Sequence, residues 1–310
     1  MFFFQFFLIF IKFFILSILM SIVFYSIGDW GKKTDGLYNV AESMDIMSND
    51  SQYKPNFILS LGDNFYPDGV QSTIDPKWKE IYSDIFTGKN LYCPWYSILG
   101  NHDYGTNPKA QIDYYLQKKD KRWVMPSRYY HVIHNFENKK ILIICLDTIE
   151  LDLITSARFV NNSVLKANGI NYASSRKQLK WLEKILSNNT NVDWSLVIGH
   201  YNLYTAGYHG SNNNLINLLK PIFIKYKVDM YLSGHCHNLE HLKDNGIEYI
   251  VSGAGAKSGN NSKIFQSIFS YGECGYTIHK ISNNIMTTLF INEKSEIIYS
   301  FDLPQKRNIK

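Results

Sequence analysis

The sequence predicts an α/β protein in which two mixed β-sheets pack as a sandwich flanked by helices. Short, nearly continuous apolar runs recur along the chain, and their length and composition are typical of strands covered on both faces. Stretches with helical spacing separate the first of these runs, whereas the runs after Ile247 follow one another directly. A βαβ-type alternation that closes in a β-rich tail favours one α/β domain with two packed sheets and helices outside.

Apolar runs predict the strands, and most of the early runs stop at a glycine. The early strands are expected at Ser21–Ile27, Phe57–Leu61, Trp95–Leu99, Ile141–Leu146, Trp194–Ile198 and Asp229–Ser233. The strands of the tail are expected at Tyr249–Ser252, Tyr276–Ile281, Ile285–Ile291 and Glu296–Phe301. Among the early runs, only the one that ends at Asp147 lacks the terminal glycine.

Capping residues predict the helices between the strands. They are expected to begin at Asp75-Pro76, at Asn107-Pro108 before Ala110–Gln117, at Ser175, and after Asn212–Asn214 before Leu215–Lys227. A polar cap followed by proline marks the first two, since proline is preorganised for the first helical turn. Ser175 and Gln178 form a capping-box pattern before an apolar face. The segment Ile149–Asn171 has no clear period and is predicted to be a long surface loop.

Composition limits the classes of function. With 310 residues, 45% hydrophobic and 19% charged, the chain can bury a substantial core and is not disordered. The net charge of +5 is spread along the chain without a run of like charges, so nucleic acid is not an expected partner. Four cysteines are too few for a disulfide scaffold, and the sequence does not choose among their pairings.

The N-terminus predicts entry into the secretory pathway. Residues 1–20 read as a signal peptide or a signal anchor, and residues 21–310 as the folded domain, although an apolar run can also be a buried strand. We expect a secreted, vacuolar or lysosomal, or membrane-associated protein; an uncleaved segment would hold the domain against a membrane. Four N-glycosylation sequons fit this route and predict a glycoprotein. They lie at Asn49, Asn161, Asn188 and Asn260. The C-terminal residues 301–310 are polar, and no second anchor is expected there.

Five of the predicted strands end in glycine followed by a side chain that can bind a metal ion. The pairs are Gly28-Asp29, Gly62-Asp63, Gly100-Asn101, Gly199-His200 and Gly234-His235. In open α/β sheets, ligands bind beyond the carboxyl ends of the strands, and a glycine there lets the backbone turn sharply. We therefore expect these side chains to converge on one site.

The donor types predict a hydrolytic metal centre. Oxygen and nitrogen donors without a thiolate exclude a structural zinc-finger site and suit Fe, Mn, Zn or Mg. The number of donors exceeds what one metal ion with an open position needs. It suits two ions about 3.5–4 Å apart, which share a bridging carboxylate. His235 and His237 face the same side of an extended chain, so one imidazole can serve each ion.

The motifs 28–31, 62–66, 100–103, 199–201 and 234–237 resemble the blocks of purple acid phosphatases of the small, mammalian-like (tartrate-resistant) type, within the calcineurin-like metallophosphoesterase superfamily. The resemblance covers about residues 21–300, and Tyr66 is the residue that narrows it to purple acid phosphatases.

The resemblance implies an acid phosphatase that hydrolyses phosphate monoesters and releases inorganic phosphate. It implies that Fe(III) is held by Asp29, Asp63, Tyr66 and His237, and that a divalent ion (Fe(II), Zn or Mn) is held by Asp63, Asn101, His200 and His235. A metal-bound hydroxide would attack phosphorus. His102 and His209 match the histidines on the substrate side, which bind phosphate and protonate the leaving oxygen. Enzymes of this type can be monomers, and we expect a monomer here.

Other interpretations of single residues remain open. Asp29 and Asp63 can be ordinary turn or capping residues, and Tyr66 a buried phenol. Asp103 can orient His102 or merely close a turn. Lys32 and Lys33 can face a phosphate, although a solvated loop exit is the simpler interpretation.

Two other functions compete with the phosphatase. Glideosome-associated membrane anchors resemble purple acid phosphatases without being catalysts, because a fold does not fix a function. A phosphodiesterase or nucleotidase of the wider superfamily is the other alternative, against which Tyr66 argues.

Overall fold

The computed structural model describes residues 21–137 and 139–307. The predicted targeting segment, residues 1–20, lies outside the described residues, so its nature stays a prediction. Within the described ranges, no helix combines the length and the hydrophobicity required to traverse a bilayer.

Two seven-stranded mixed sheets form the sandwich, which confirms the predicted fold class. In spatial order, the first sheet contains β14 (Ile297–Pro304), β13 (Ile285–Asn292), β12 (Gly275–Ser282), β1 (Ser21–Ile27), β2 (Phe57–Ser60), β3 (Trp95–Ser97) and β4 (Trp123–Val124). The second contains β11 (Ser267–Tyr271), β9 (Leu239–Asp244), β10 (Ile247–Ser252), β8 (Met230–Ser233), β7 (Trp194–Ile198), β6 (Lys139–Cys145) and β5 (Tyr130–Phe136). Strands β1 to β4 are parallel, as are β6, β7, β8 and β10.

The central strands are buried on both faces, which explains their nearly continuous hydrophobicity. In β6, Ile141 and Ile143 pack between the two sheets, whereas Leu142 and Ile144 pack under the helices. The helix-side layer also contains a cluster of buried aromatic rings around Trp30. The sandwich therefore holds the parallel strands rigidly from both sides, and their carboxyl ends become a firm platform.

Each of the four predicted helix starts lies at or near a helical segment, but the sequence predicted neither the helix at Asp35–Asn49 nor any helix over 149–171. The helices are α1 (Asp35–Asn49), α2 (Lys109–Leu116), α3 (Thr148–Leu151), α4 (Leu153–Phe159), α5 (Asn162–Ala167), α6 (Tyr172–Asn188) and α7 (Asn213–Lys225), with a π-helical turn at Trp78–Ser83 after the Asp75-Pro76 signal. The prediction of a surface loop over 149–171 was wrong, because α3, α4 and α5 occupy it. Each is seven residues or shorter, too short for a helical period to be recognised.

The predicted capping box lies one turn too late. Helix α6 begins at Tyr172, and the reciprocal box is made by Asn171 and Ser174. Gln178 lies inside the helix, and its Oε1 accepts the backbone N–H of Asp147 at 3.0 Å. This side chain therefore fixes α6 to the end of β6.

Candidate metal centre

The predicted ligands follow strands of both sheets, and the structure brings these loops to one edge of the sandwich. The backbone N–H of Asp29 donates to the carbonyl of Gly62 at 3.0 Å, and that of Gly234 donates to the carbonyl of His200 at 3.1 Å. One ligand atom each from Asp29, Asp63 and His200 lies within 4.8 Å of the others, and all three side chains are buried. These three groups form the middle of the candidate centre.

Tyr66 lies on one side of this middle group. Its hydroxyl oxygen is 3.1 Å from Oδ1 of Asp29, 2.9 Å from Oδ2 of Asp63 and 3.3 Å from Nε2 of His237. Nε2 of His237 is in turn 3.6 Å from Oδ1 of Asp29. These are the four residues that the resemblance assigns to the first metal ion.

His200 and Asn101 lie on the other side. Nε2 of His200 is 3.1 Å from Oδ1 of Asn101 and 3.5 Å from Oδ1 of Asp63. The opposite ring nitrogen, Nδ1, is 2.9 Å from the carbonyl oxygen of Leu61. Because a carbonyl only accepts, the ring proton belongs on Nδ1, and Nε2 keeps its lone pair. Two lone pairs thus face each other, an arrangement that a cation between them would satisfy.

His235 completes the set. Its backbone N–H donates to Oδ2 of Asp29 at 2.7 Å, and its ring centroid is 5.1 Å from that of His200. The ring of His209 stacks on the ring of His235, with 3.9 Å between centroids and 18° between planes. All seven residues predicted as ligands therefore lie together, and His209 packs against one of them.

Three of these residues adopt the left-handed backbone conformation. The φ angles are 58° at Asp29, 53° at Asp63 and 66° at His235, a region that costs a residue with a Cβ about 1–2 kcal/mol. We expected the sharp turns at the five preceding glycines, but of these only Gly62 has a positive φ, of 88°. In these loops the candidate ligand itself carries the strain, which is typical of functional sites.

Gly100 and Gly234 provide space instead of a turn. A Cβ at Gly100 would lie 2.2 Å from Oδ1 of Asp63, and one at Gly234 would lie 2.4 Å from Oδ2 of Asp29. Both distances are far below any van der Waals contact. Only glycine allows the two carboxylates to approach the neighbouring backbone this closely.

The electrostatics of the centre fit a bound cation. Burial, together with the neighbouring carboxylate of Asp63, raises the pKa of Asp29 well above its ordinary value. Burial and the same two carboxylates raise the pKa of the Tyr66 phenol, and burial lowers the pKa of His235 well below its usual range. A metal ion reverses this penalty on the acids, since it stabilises deprotonated donors. Hard oxygen donors with imidazoles suit iron, manganese or zinc.

Comparison with known families agrees with this geometry. Residues 22–239 match the family model of the calcineurin-like phosphoesterases. The chain belongs to this family. The matched residues include the strands and loops that carry the candidate ligands.

Relatives of this phosphoesterase include acid phosphatases and an anchor protein. Tartrate-resistant acid phosphatase type 5 of Oryctolagus cuniculus is 34% identical over 301 residues, covering 91% of each chain. Purple acid phosphatase 4 of Arabidopsis thaliana is 30% identical, covering 91% of this chain and 83% of the relative. Glideosome-associated protein 50 of Plasmodium falciparum is also 30% identical, covering 92% and 76%.

Solved structures show the same fold. The structure described as GAP50, the anchor in the inner membrane complex of Plasmodium, has a TM-score of 0.80 and 29% identity, covering 94% of this chain and 90% of that chain. A purple acid phosphatase from yellow lupin (Lupinus luteus) seeds has a TM-score of 0.66 and 16% identity, covering 93% and 54%. The second likeness supports the fold alone.

The phosphoesterase site also contains residues whose roles the sequence left open. Asp103 is fully buried and accepts the backbone N–H groups of Asn64, Phe65 and Gly100. Nδ1 of His102 pairs with the carbonyl of Pro67 instead. Asp103 therefore fixes two of the loops that carry candidate ligands, and in the described part of the chain it makes no hydrogen bond to the His102 ring.

Two cationic side chains near the site differ in their pairing. Lys33 forms an ion pair with Glu80 at 2.9 Å. This pairing agrees with the interpretation of Lys33 as a solvent-exposed residue where the chain leaves the loop. Lys257, which the sequence analysis missed, places Nζ 4.1 Å from the centroid of the Tyr66 ring. Burial, followed by the charge of Lys32, lowers the pKa of Lys257. No spacing pattern marks this lysine, because it reaches the site from a loop that follows β10.

All four cysteines are free thiols in the structure. Cys236, between His235 and His237, is buried, and burial raises its pKa to about 12.

Proposed function

We propose that the chain is an acid phosphatase that hydrolyses phosphate monoesters at a binuclear centre of Fe(III) and a divalent ion, Fe(II), Zn or Mn. The observation that carries the proposal is the convergence of seven oxygen and nitrogen donors on one buried group of carboxylates. The acid phosphatase relatives support it. The strained backbone at Asp29, Asp63 and His235 also supports a functional centre, since such strain is typical of catalytic and ligand-binding sites.

We assign each candidate ligand to one of two ions. Asp29, Asp63, Tyr66 and His237 would hold the trivalent ion, and Asp63, Asn101, His200 and His235 the divalent one. Bound there, the two ions would supply an activated water nucleophile and Lewis-acid stabilisation of the phosphate oxygens. The central position of Asp63, near both Tyr66 and His200, supports its role as the shared ligand.

His102 and His209 are proposed to act on the substrate side. The ring of His102 packs on Tyr66 with 4.3 Å between centroids, and its Nε2 is 3.9 Å from Oδ2 of Asp63. His209 lies across the centre on His235. Two imidazoles on opposite flanks of the carboxylates are suited to pair with phosphate oxygens and to protonate a leaving oxygen in acid.

Hydrolysis of p-nitrophenyl phosphate against pH tests the proposal. The purified protein, loaded with iron and zinc and assayed for metal content, should be most active in acid. His200→Ala should lower kcat/KM at least 100-fold, because it removes a donor at the centre. His131→Ala is the matched control, since His131 is exposed on β5. A fully loaded wild type without activity, or an equally active His200→Ala variant, would contradict the proposal.

A second candidate function is that of a non-catalytic anchor. The observation that favours it is the high similarity to the Plasmodium anchor structure. Such a protein would bind metal ions without turnover. Metal loading without hydrolysis of p-nitrophenyl phosphate or of a phosphodiester is the result that would select it.

We further propose that residues 1–20 direct residues 21–310 into the secretory pathway, where the domain works as a monomer. Asn49, Asn161, Asn188 and Asn260 are exposed, so a glycosyltransferase could reach them. Expression in a secretory host, followed by N-terminal sequencing, glycosidase treatment and sedimentation, tests cleavage, glycosylation and oligomeric state. An intact N-terminus in the membrane fraction would select the signal anchor.

A further inference from the structure

A cavity of about 400 Å³ adjoins the candidate centre. It lies between α4 and the first turn of α7, and His209 and His235 contribute to its wall. Because His209 is one of the two proposed proton donors to the leaving oxygen, a leaving group that departs beside His209 would enter this cavity. The cavity and the metal centre thus share one wall.

Phe159 gives the cavity an aromatic surface. Its ring lies edge-on to His209 with 5.4 Å between centroids, and edge-on to His235 with 5.2 Å. The side chain is nevertheless 42% exposed, so a large part of the ring remains available to a ligand. Edge-to-face or offset contact with a second ring is favourable in such a setting.

Arg158, the neighbour of Phe159 on α4, gives the same cavity a positive charge. It is exposed and lines the cavity, and no carboxylate among the described residues lies within ion-pair distance of it. No Asp or Glu lines the cavity either. The nearby carboxylate of Asp152 is buried and accepts hydrogen bonds from Thr155 and Asn212. The positive charge on this wall is therefore uncompensated.

Asn202 is a buried polar residue of the same wall. It is 2% exposed, and its amide donates to Oγ of Ser233 and to the carbonyl of Gly234. These hydrogen bonds tie the wall of the cavity to the end of β8, from which His235 follows.

We propose that this cavity is a leaving-group subsite that selects aromatic phosphomonoesters bearing a negatively charged substituent on the ring. Phe159 contacts the ring of the leaving group, and the Arg158 guanidinium pairs with its anionic substituent, since the planar fork of arginine matches a carboxylate. The inference rests on the proposed phosphatase function and specifies its substrate class.

Two substrates of equal shape isolate the charge. They are 4-carboxyphenyl phosphate and its neutral analogue 4-carbamoylphenyl phosphate. The wild type should prefer the carboxylate in kcat/KM by about fivefold to tenfold, as expected for a charge-assisted hydrogen bond at a partly exposed site. Arg158→Gln should abolish the preference, mainly through a higher KM. Arg176→Gln, at an exposed arginine of α6, is the matched control and should keep it.

Binding of two non-hydrolysable analogues separates failure of the subsite from failure of the phosphatase. The metal-loaded protein is titrated calorimetrically with (4-carboxybenzyl)phosphonate and (4-carbamoylbenzyl)phosphonate. Tighter binding of the carboxylate that is lost in Arg158→Gln supports the subsite, even if neither ester is hydrolysed. Equal binding of both compounds by the wild type, or a preference that persists in Arg158→Gln, overturns it.

Discussion

The ammonium group of Lys257 lies over the ring of Tyr66, with Nζ 4.1 Å from the ring centroid. The phenol oxygen of this ring faces the two carboxylates of the centre. No carboxylate among the described residues lies within ion-pair distance of Lys257. A cation at the face of the ring stabilises electron density on the phenolate that the proposed centre requires.

Replacement of this cation should change the colour of the loaded protein. In Lys257→Met, the phenolate electrons lie higher in energy, so the phenolate-to-iron absorption band should move to longer wavelength. The visible spectrum of the iron-loaded protein measures the shift. Lys33→Met is the matched control, because Lys33 pairs with Glu80. An unchanged band in Lys257→Met would show that the ammonium does not act on the phenolate.

The space at Gly100 should be essential for metal binding. In Gly100→Ala, the new Cβ would meet Oδ1 and the backbone nitrogen of Asp63 at 2.2 and 2.3 Å, so the shared carboxylate must move. We expect the bound metal to fall to less than half of the wild-type content and activity to fall at least 10-fold. Elemental analysis and circular dichroism of the same sample separate lost metal from lost fold. Full metal content in a folded variant would contradict this account.

Asp103 should act on loop stability and not on the proton transfer of His102. In Asp103→Asn, the amide group would face backbone N–H donors that now have a carboxylate acceptor. Loss of such buried hydrogen bonds should lower the free energy of unfolding by about 1–3 kcal/mol. Urea unfolding of the metal-free protein measures it. If Asp103 oriented His102 instead, the pH profile would shift while stability stayed the same.

The buried His279 should make the protein less stable in acid. It lies in β12, where its ring stacks on Phe24 at 4.6 Å, and burial lowers its pKa to about 3. Between the unfolded pKa near 6.5 and a folded pKa of about 3, only the unfolded chain binds the proton. Protonation of His279 therefore costs no stability above about pH 6.5. Below that pH it lowers the free energy of unfolding by up to about 1.4 kcal/mol per pH unit.

His279→Gln should flatten this acid dependence. Urea unfolding of the metal-free wild type and variant at pH 7, 6, 5 and 4 gives the difference that belongs to this one residue. The variant loses hydrogen bonds to Ser26 and Thr288 and should be less stable at pH 7. The gap between the two proteins should then narrow as the pH falls. Parallel curves would show that another group controls the acid limb.

Much of the fold could be predicted from the sequence because the central strands are local and strongly apolar. Ser21–Ile27 and Trp194–Ile198 were predicted to the residue, and the other glycine-terminated strands within one or two residues. The short strands β4, β9 and β11 and the half-exposed β5 were not predicted, since two to seven residues with mixed burial give little signal. Helices α3 to α5 were missed for the same reason, and helix α1 was not predicted either.

Five of the seven candidate ligands could be predicted because each follows a strand that ends in a glycine. His237 was expected beside His235 because the two face the same side of an extended chain, and Tyr66 was assigned through the family resemblance. The backbone conformation of these residues could not be predicted. The left-handed φ of Asp29, Asp63 and His235 depends on hydrogen bonds between distant loops, such as that from the His235 N–H to Asp29. The cations Lys257 and Arg158 also come from segments without a motif, and only the packed chain shows that Lys257 lies on Tyr66 and that Arg158 lines the adjoining cavity.

The sequence by itself determined the sandwich class, the positions of most central strands and the identity of the donor atoms, because hydrophobic runs and donor chemistry are local properties of the chain. The tertiary structure alone decided how those donors meet, which turns are strained, and which surfaces adjoin the centre. These features arise from contacts between residues that are up to about two hundred positions apart, such as the 206 positions between Asp29 and His235. No local pattern encodes such contacts, since they exist only when both sheets have packed.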